Sequence, residues 1–335
     1  MIGEITVICV SWNDAGEVRA AVASLAQARA KISGELPRVS LVVVDNGGGK
    51  ALRSEDILAL WPGATVLVNA SNVGLGPACN QAAASSAGDI LLFVNPDTRA
   101  EAEPFTPIAW AFDSDAGIVA VAPRLVDANG SAPGAGPLRL MPPGREDQAT
   151  FQLRRLPTLT ADVRELLLID HLAPNNAGRR RSRYADQDRF AAFPVEQSAA
   201  AALAVRRSAF QKIGGFDERY VPAWYEDVDL GDRLGREGRI LYLPDAAFRH
   251  RGGDSASRLG YDRFLPIFYR NALRYRRQRY GLPARWSYRA LLAAGMLLRL
   301  LLLPLRATVP RPRAEAARAY LRVLALALGL APGGP

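Results

Sequence analysis

The chain has 335 residues, of which 49% are hydrophobic and 22% charged, so it can bury a sizeable core and neither a disordered nor a fibrous protein is expected. This length permits one large α/β domain with an appendage, or two modest domains. The only cysteines, Cys9 and Cys79, are too few for a disulfide framework, which favours a reducing compartment.

The net charge of +9 is unevenly distributed along the chain. Residues 261–335 contain fourteen Arg, no Lys and only Asp262 and Glu315 as acids, which gives +12 and leaves −3 for residues 1–260. The basic isoelectric point therefore reflects the charge of the C-terminal segment and not that of residues 1–260. Such an excess of positive charge predicts an anionic surface as its partner, either phospholipid or nucleic acid.

The N-terminal third alternates strand-like and helix-like stretches. Four short apolar runs predict buried strands, over residues 5–10, 40–44, 65–68 and 90–94. A helix with Asp14 as its N-cap is predicted after the first run, and a second helix over residues 78–86 after the third. This alternation predicts an α/β fold with a doubly wound, mostly parallel sheet flanked by helices.

Polar clusters follow each of the four runs at its carboxyl end. They are residues 11–13, 45–46, 69–72 and 95–97. Ligands of doubly wound sheets bind outside the carboxyl ends of the strands. One crevice is therefore expected to collect all four clusters.

The second half of the chain is less regular at first. Residues of about 130–195 contain Pro and Gly clusters, a helix-like patch and an arginine run, which we interpret as a variable insertion or a flexible lid. Regular structure returns with a strand over 199–205, helices over 207–213 and 224–237, and closing strands over 240–243 and 247–250. The main domain is thus expected over residues 1–260.

The segment 261–335 is expected to be helical and forms the appendage. Its stretch 291–303 is strongly apolar but is interrupted by Arg299 and ended by Pro304. A bilayer span needs about 20 apolar residues, so an amphipathic helix in the membrane interface is predicted, with Arg side chains reaching the headgroups. A helical hairpin that covers the main domain is the alternative.

Two sequence features are candidates for a divalent-metal site. Asp97, in Asn95-Pro96-Asp97, follows a buried strand, and Mg²⁺ and Mn²⁺ favour one or two carboxylates together with substrate phosphates. Taken alone, this tripeptide is a common β-turn sequence. His250, one of two histidines, follows another apolar strand and opens a glycine-rich loop. A lone histidine is usually a surface or capping residue, but beside carboxylates it is a candidate metal ligand or phosphate contact.

A third candidate is the acidic cluster Glu226, Asp227 and Asp229. The helix dipole favours acids at a helix start, which is its structural explanation. Apolar neighbours such as Trp224 and Leu230 can also keep a carboxylate basic enough to accept a proton. The cluster is therefore a candidate source of a general base.

The fourth candidate comprises Asp45 and the segment 72–80. Gly74 and Gly76 allow the backbone to approach a ligand closely, and the following helix N-terminus offers amide donors to phosphate. The glycines follow the third strand instead of the first, and the chain has no Walker A pattern. These two facts argue against a dehydrogenase and against an NTPase.

Taken together and in order, these motifs resemble the family-2 glycosyltransferases with the GT-A fold, especially their bacterial rhamnosyltransferase-like branch. The likeness covers about residues 4–255, except for the stretch around 130–195. The matching motifs are Val10-Ser11-Trp12-Asn13, Val43-Val44-Asp45-Asn46, Asn72-Val73-Gly74 with Asn80, Leu92-Phe93-Val94-Asn95-Pro96-Asp97-Thr98, Ile213-Gly214-Gly215-Phe216-Asp217-Glu218, Glu226-Asp227-Val228-Asp229-Leu230 and His250-Arg251-Gly252-Gly253.

The resemblance implies roles for several of the matched positions. Asp227 is the implied catalytic base, Asp97 holds Mg²⁺ or Mn²⁺ on the donor diphosphate with the help of His250, and Asp45 contacts the nucleobase. The implied donor-binding residues are Ser11, Asn13, Asp45, Asn72, Gly74, Asn80, Asn95 and Glu226.

The chain departs from the family pattern in three places. The metal motif is Asn-Pro-Asp instead of Asp-x-Asp, and Gly47-Gly48-Gly49 stands where the family usually has Ser or Thr. The stretch Gln197-Ser198-Ala199-Ala200 has alanine where the family often has glycine, which narrows the expected acceptor pocket.

The resemblance implies an inverting glycosyltransferase of cell-envelope polysaccharide synthesis. Its leading donor is dTDP-rhamnose, with UDP- and GDP-sugars open, and its acceptor is a hydroxyl of a glycan or of a polyprenyl-linked glycan. We expect it to act at the cytoplasmic face of the membrane, which residues 261–335 contact peripherally. Whether it forms a homo-oligomer stays open.

Two alternatives from other classes remain. One is a catalytically silent subunit that binds a nucleotide sugar or a glycan, but such a subunit has no reason to keep Glu226-Asp227 together with His250. The other is a nucleic-acid-binding protein, suggested by the isoelectric point alone. Its arginines lie in a Leu-rich tail without a binding motif, so no nucleic-acid partner is expected.

Overall fold

A computed structural model describes residues 1–34, 37–47, 52–127, 152–251, 259–305 and 312–330, which form two compact units. The sheet unit takes its described residues from 1–127, 152–156 and 183–251, and the helical unit takes them from 157–182 and from 259 onwards. The early part of the predicted insertion, Gly48-Gly49 and Gly252-Gly253 lie outside the described residues. The segment 157–182 is grouped with the C-terminal helices.

A nine-stranded sheet forms the centre of the sheet unit, with the strand order β3-β2-β1-β4-β10-β6-β11-β5 and with β8 beside β11. The strands β1 to β4, β6 and β11 run in one direction, and β5, β8 and β10 run against them. The nine strands are β1 (Glu4–Ser11), β2 (Arg38–Asp45), β3 (Thr65–Val68), β4 (Ile90–Val94), β5 (Thr98–Glu101), β6 (Ile118–Asp127), β8 (Phe193–Val195), β10 (Ala202–Arg206) and β11 (Arg239–His250). Two further strands, β7 (Leu153–Arg154) and β9 (Gln197–Ser198), pair in a separate two-stranded ladder.

Both faces of the sheet are covered, as the continuous apolar runs predict. In β1, Ile5 and Val7 belong to one buried cluster, whereas Ile8 and Val10 belong to the other. The helices of this unit are α1 (Ala15–Arg29), α2 (Ser54–Leu60), α3 (Leu75–Ala84), α4 (Phe105–Ser114), α8 (Arg207–Lys212) and α9 (Glu226–Leu234). These elements confirm the predicted α/β fold with a mostly parallel sheet.

The first helix begins after the N-cap that the sequence predicts. The Asp14 side chain accepts a hydrogen bond from the backbone N–H of Glu17 at 3.3 Å, so Asp14 is the N-cap. Val18, Val22 and Leu25, at helical spacing, are fully buried against the sheet. The helix is thereby fixed at its start and along one face.

Two predicted elements near the end of this unit differ from the structure. The strand predicted from residue 199 begins at Ala202. The two closing strands predicted over residues 240–250 are one strand, β11, with a register shift between Leu243 and Ala247. Pro244 lies at this shift, and because proline has no N–H to donate to the ladder, the irregularity occurs there without ending the strand.

The helical unit is built from α5 (Leu159–Leu166), α6 (Ile169–Leu172), α7 (Ala177–Ser182), α10 (Tyr261–Leu302) and α11 (Arg313–Leu328). Gly281, with φ 81°, is non-helical and kinks α10. Arg276 of α10 donates to Asp162 of α5 at 2.9 Å and lies 4.4 Å from the ring of Tyr288. This buried ion pair anchors α5 to α10.

Arg299 has a different environment from the one predicted. Instead of reaching towards lipid headgroups, it is buried and donates to the carbonyl of Glu165 at 3.0 Å and to that of Gly295 at 3.0 Å. The carbonyls at the end of α5 have no partner inside their own helix, so a buried guanidinium satisfies them. None of the helices described has an apolar stretch long enough to cross a bilayer.

Candidate active site

Ser11 and Asp45 are neighbours at the carboxyl ends of β1 and β2. Both side chains are buried, and Asp45 Oδ1 accepts from the backbone N–H of Gly47 at 2.9 Å. Asp45 Oδ2 is buried without a hydrogen-bond partner among the described residues. A Cβ on Gly47 would lie 2.7 Å from Oδ1 of Asn13, so this loop and Asn13 are in close contact. Within the described part of the chain, Asp45 therefore keeps one acceptor to which no protein group donates.

The loop after β3 is held in place by Asn46, whose side chain is 2% exposed. Its Nδ2 donates to Asn72 Oδ1 at 2.9 Å and to the carbonyl of Gly74 at 3.2 Å. Its Oδ1 accepts from Asn69 Nδ2 at 3.0 Å and from the N–H of Val73 at 3.1 Å. Asn46 uses its full hydrogen-bonding capacity, so its role is to fix the loop that carries Asn72 and Gly74.

The same loop contacts the segment that precedes the acidic cluster. Gly74 has φ 100°, and a Cβ there would lie 3.0 Å from Cγ1 of Val221. The N–H of Leu75 donates to the carbonyl of Pro222 at 2.9 Å. Gly74 is therefore required both for its left-handed backbone and for this close approach.

Asn80 of α3 holds the next part of that segment. Its Nδ2 donates to the carbonyl of Phe216 at 2.9 Å and to Glu218 Oε1 at 3.0 Å. Its Oδ1 accepts from the N–H of Phe216 at 2.8 Å. The side chain that the resemblance assigns to donor binding thus contacts other parts of the protein at both ends.

Asp97 and His250 are brought together, as the metal hypothesis requires. Asp97 Oδ1 and His250 Nε2 are 3.5 Å apart, and His250 lies opposite Thr98 in the β5–β11 ladder. The backbone N–H of Asn95 donates to the carbonyl of Ala201 at 3.0 Å, which fixes the turn at the end of β4.

This pair fits one small divalent cation. Ligand atoms lie roughly 2.0–2.1 Å from Mg²⁺, so two ligands of one such ion are at most about 4 Å apart, and the 3.5 Å separation of Asp97 and His250 agrees with that limit. The described residues contain no group of three or more potential metal-binding side chains. Substrate phosphates and water would supply further ligands to a metal here, as is usual for Mg²⁺.

Glu226 and Asp227 follow a strained turn. Trp224 and Tyr225 both adopt the left-handed region, with φ 72° and 76°, immediately before α9. This region is costly for residues other than glycine, and such strain is concentrated at functional sites. Asp227 Oδ1 accepts from the N–H of Val228 at 2.8 Å.

The two carboxyls differ in their tendency to hold a proton. Burial, reinforced by repulsion from Asp227, raises the pKa of Glu226 well above its ordinary value. Burial also raises the pKa of Asp227, although the Val228 N–H and the nearby Arg154 oppose this rise. The rise is the stronger one at Glu226, and the repulsion between the two carboxyls disfavours the state in which both are charged.

Gln197, on β9, is a further buried polar side chain near α9. Its Oε1 and the Oε2 of Glu226 are buried without partners among the described residues. A Cβ on Gly231 would lie 2.8 Å from Cβ of Gln197, so β9 and α9 are in direct contact. Arg154 pairs with Gln197 across the β7–β9 ladder. Arg154 was not assigned a role from the sequence because it belongs to no motif. Asn46 lies in the motif Val43-Val44-Asp45-Asn46 but was given no role of its own.

Comparison with known proteins identifies the family. The sequence profile described as "Glycosyl transferase family 2" matches residues 6–186, more than half of the chain. Two strains of Mycobacterium tuberculosis, CDC 1551 / Oshkosh and H37Rv, have an N-acetylglucosaminyl-diphospho-decaprenol L-rhamnosyltransferase that is 29% identical over 273 residues, which is 77% of this chain and 79% of theirs.

Two solved structures share the fold. GalNAc-T7 with UDP, GalNAc and Mn²⁺ matches with a TM-score of 0.55 and 14% identity, covering 96% of this chain and 54% of that one, so this chain spans about half of its length. The mannosyltransferase PcManGT from Pyrobaculum calidifontis, in complex with GDP-Man and Mn²⁺, matches with a TM-score of 0.55 and 13% identity over 97% of this chain and 86% of its own. The chain belongs to glycosyl transferase family 2.

Proposed function

We propose that this glycosyltransferase transfers L-rhamnose from dTDP-rhamnose, with inversion, to a hydroxyl of a polyprenyl-diphosphate-linked glycan in cell-envelope polysaccharide synthesis. The similarity to the two mycobacterial L-rhamnosyltransferases supports both the sugar and the lipid-linked acceptor. The two cysteines are buried and free, which agrees with action in the cytoplasm.

The observation that carries the proposal is the Glu226–Asp227 pair. Asp227 is partly buried at the start of α9, beside a carboxyl whose pKa is raised well above its ordinary value by burial. A carboxylate whose pKa is raised by burial is a stronger base than one in water. Asp227 is therefore the base of the proposed reaction.

The reaction is a single displacement in which Asp227 accepts the proton of the acceptor hydroxyl. The acceptor oxygen forms a bond to the anomeric carbon as the bond from that carbon to the diphosphate oxygen breaks, and the electron pair leaves with dTDP. Because no group of the enzyme attacks the anomeric carbon, its configuration inverts. The raised pKa of Glu226 favours its neutral form, which adds no second negative charge beside the base.

The donor site extends over the carboxyl ends of the strands. The free acceptor Oδ2 of Asp45 suits an N–H of the nucleobase, with Ser11 and Asn13 beside it. The proposed donor site also includes Asn72 and Gly74, whose loop is held by Asn46, and Asn95, two residues before Asp97. Asp97 and His250 would hold Mg²⁺ or Mn²⁺, which offsets the charge of the departing diphosphate when it is bound.

We also propose that the helical unit contacts an anionic membrane surface. Beyond the kink of α10, an exposed apolar face runs through Trp286, Ala290, Ala294, Leu297 and Leu301, at spacings of three and four residues. Trp286 is 61% exposed and Leu301 is 74% exposed.

Positive charge accompanies this apolar face. Partial burial, together with repulsion from Arg277 and Arg289, lowers the pKa of Arg285, so three arginines lie near one another there. Phospholipid headgroups supply the matching negative charge, and the apolar face suits the boundary with the acyl chains.

The test combines binding with turnover. Calorimetry with dTDP, UDP and GDP, each with and without Mn²⁺, should give metal-dependent binding of dTDP. Incubation of dTDP-rhamnose with an N-acetylglucosaminyl-diphospho-polyprenol should then yield the rhamnosylated lipid with inverted configuration. Asp227→Asn should bind dTDP normally and lose turnover, since an amide cannot accept the proton.

Glu237→Gln is the matched control, because Glu237 lies just beyond α9 and pairs with Lys212 on the surface. It should retain turnover. Near-normal turnover by Asp227→Asn would contradict the mechanism. Binding of dTDP by the wild-type protein without turnover on any acceptor would favour the silent subunit.

A further inference from the structure

We propose that Glu17 is a positioning residue for the metal-diphosphate site, acting through Arg99 and Arg251. It holds the turn that carries Asp97 and the strand end that carries His250 at the separation that one cation requires. This inference rests on the proposed function, and it concerns three residues to which neither the sequence motifs nor the proposed mechanism gives a role.

Arg99 wraps the turn that carries Asp97. Its Nη1 donates to the carbonyl of Pro96 at 2.6 Å and to that of Thr98 at 3.0 Å, the residues on either side of Asp97. Its Nη2 donates to Glu17 Oε2. The guanidinium has a planar fork of donors, so it can bridge two carbonyls and one carboxylate at the same time.

Arg251 connects the other side of the site to the same carboxylate. Its Nη1 lies 2.9 Å from Glu17 Oε1, and its backbone N–H donates to the carbonyl of Asp97 at 3.1 Å. Arg251 directly follows His250, the last residue of β11, so the position of Arg251 determines where the chain leaves the sheet. The two carboxylate oxygens of Glu17 therefore hold both parts of the candidate metal site: the turn that carries Asp97 and the strand end that carries His250.

Glu17 has a rigid support. It lies in the first turn of α1, where its own N–H donates to the N-cap Asp14, and the next residue, Val18, is fully buried. The Glu17 side chain is 20% exposed, against 47% for Arg251. Ion pairs on a fixed helix, partly shielded from water, lose less to side-chain entropy and to screening than free surface pairs.

An arrangement of this kind should affect metal affinity more than catalysis. Groups that orient metal ligands typically change metal affinity or activity by roughly 10- to 100-fold when they are replaced. Glu17→Gln leaves the side chain nearly the same size but removes the charge that both arginines share. The turn and the strand end then lose their common anchor.

The experiment measures Mn²⁺ affinity directly, by electron paramagnetic resonance of free Mn²⁺ in the presence of saturating dTDP. Glu17→Gln should weaken Mn²⁺ binding by roughly tenfold or more, and kcat should return towards the wild-type value at saturating Mn²⁺. Arg99→Lys keeps the charge but lacks the planar fork, so it should weaken Mn²⁺ binding as well. Thermal melting confirms that each variant is folded.

Glu101→Gln is the matched control. Glu101 lies on β5 and pairs with Arg249 at 2.7 Å, in the same ladder, without contact to the Asp97 turn. It should bind Mn²⁺ as the wild type does. Wild-type affinity in folded Glu17→Gln would overturn this inference alone. If the wild-type protein binds no Mn²⁺ with dTDP, the proposed donor site fails, and the inference fails with it.

Discussion

Asn80 and Phe216 exchange two hydrogen bonds, although 136 residues separate them along the chain. The amide of Asn80 acts as donor and acceptor to the backbone of Phe216, in the manner of a strand neighbour. Through this contact α3, which follows the proposed donor-binding loop, fixes the segment that leads to Glu226. Protein contacts thus link this loop to the acidic cluster.

Asn80→Ala should therefore lower stability more than donor affinity. Each net hydrogen bond contributes about 1 kcal/mol, and the Phe216 N–H would be left without its partner, so we expect a loss of about 2–3 kcal/mol in the free energy of unfolding. Urea denaturation measures this loss, and calorimetry at low temperature measures dTDP affinity. Unchanged stability with loss of dTDP binding would instead make Asn80 a direct donor contact.

Glu226→Gln should stabilise the protein, increasingly as the pH rises. A carboxyl with a raised pKa binds its proton more tightly in the folded state than in the unfolded one. The folded wild-type protein therefore loses stability from about pH 4.5, the ordinary value for this group, up to its raised pKa. Each unit by which the pKa is raised corresponds to about 1.4 kcal/mol.

Urea denaturation from pH 4 to pH 8 measures this difference. The free energy of unfolding of Glu226→Gln should match that of the wild type in acid and exceed it at neutral pH. Glu55→Gln, whose carboxyl is 74% exposed, is the control and should show no comparable change. A difference between Glu226→Gln and the wild type that is independent of pH would show that burial of the charge is not its cause.

Arg154→Gln should change the pH dependence of the reaction. Asp227 must be ionised to accept a proton, so kcat/KM falls in acid as it becomes protonated. Arg154 opposes the effect of burial, and its removal raises the pKa of Asp227 further. The acidic limb of the profile should therefore move to higher pH.

Arg154→Lys is the matched variant, because it keeps the positive charge. Its acidic limb should stay close to that of the wild type, and kcat at high pH should be similar in all three proteins. If Arg154→Gln and Arg154→Lys lower kcat equally at every pH, Arg154 supports the fold of β7 and does not act on Asp227.

The sequence predicts the sheet well because its strands carry a strong local signal. The strands β3 and β4 begin and end at the residues that the apolar runs predict, 65–68 and 90–94. The region from residue 98 to residue 127 was not predicted, although β5, α4 and β6 lie there. β5 is short and polar, with the sequence TRAE, and it exists because it pairs with β11, which is distant in sequence.

The site was predictable where single residues follow strands, and unpredictable where contacts join distant segments. Asp45, Asp97 and His250 each follow a recognisable strand, and the last two lie together in the structure. The hydrogen bonds and ion pairs of Asn46, Asn80 and Glu17 connect segments 23 or more residues apart. The motifs include Asn46 and Asn80, but no local pattern shows which distant segment each of the three side chains holds. Arg299 shows the same limit, since its burial depends on packing against α5.

The exposed apolar face of α10 should determine membrane binding. Leu297→Asn combined with Leu301→Asn should weaken sedimentation with anionic phospholipid vesicles by roughly tenfold or more, because both side chains lose their favourable burial at the interface. Added salt should weaken binding of the wild type further, since the arginines then attract the headgroups less. Leu58→Asn combined with Leu60→Asn is the matched control, because these leucines are exposed on α2 of the sheet unit. Equal sedimentation of both double variants would exclude this face as the contact, and binding to DNA but not to vesicles would favour a nucleic-acid partner.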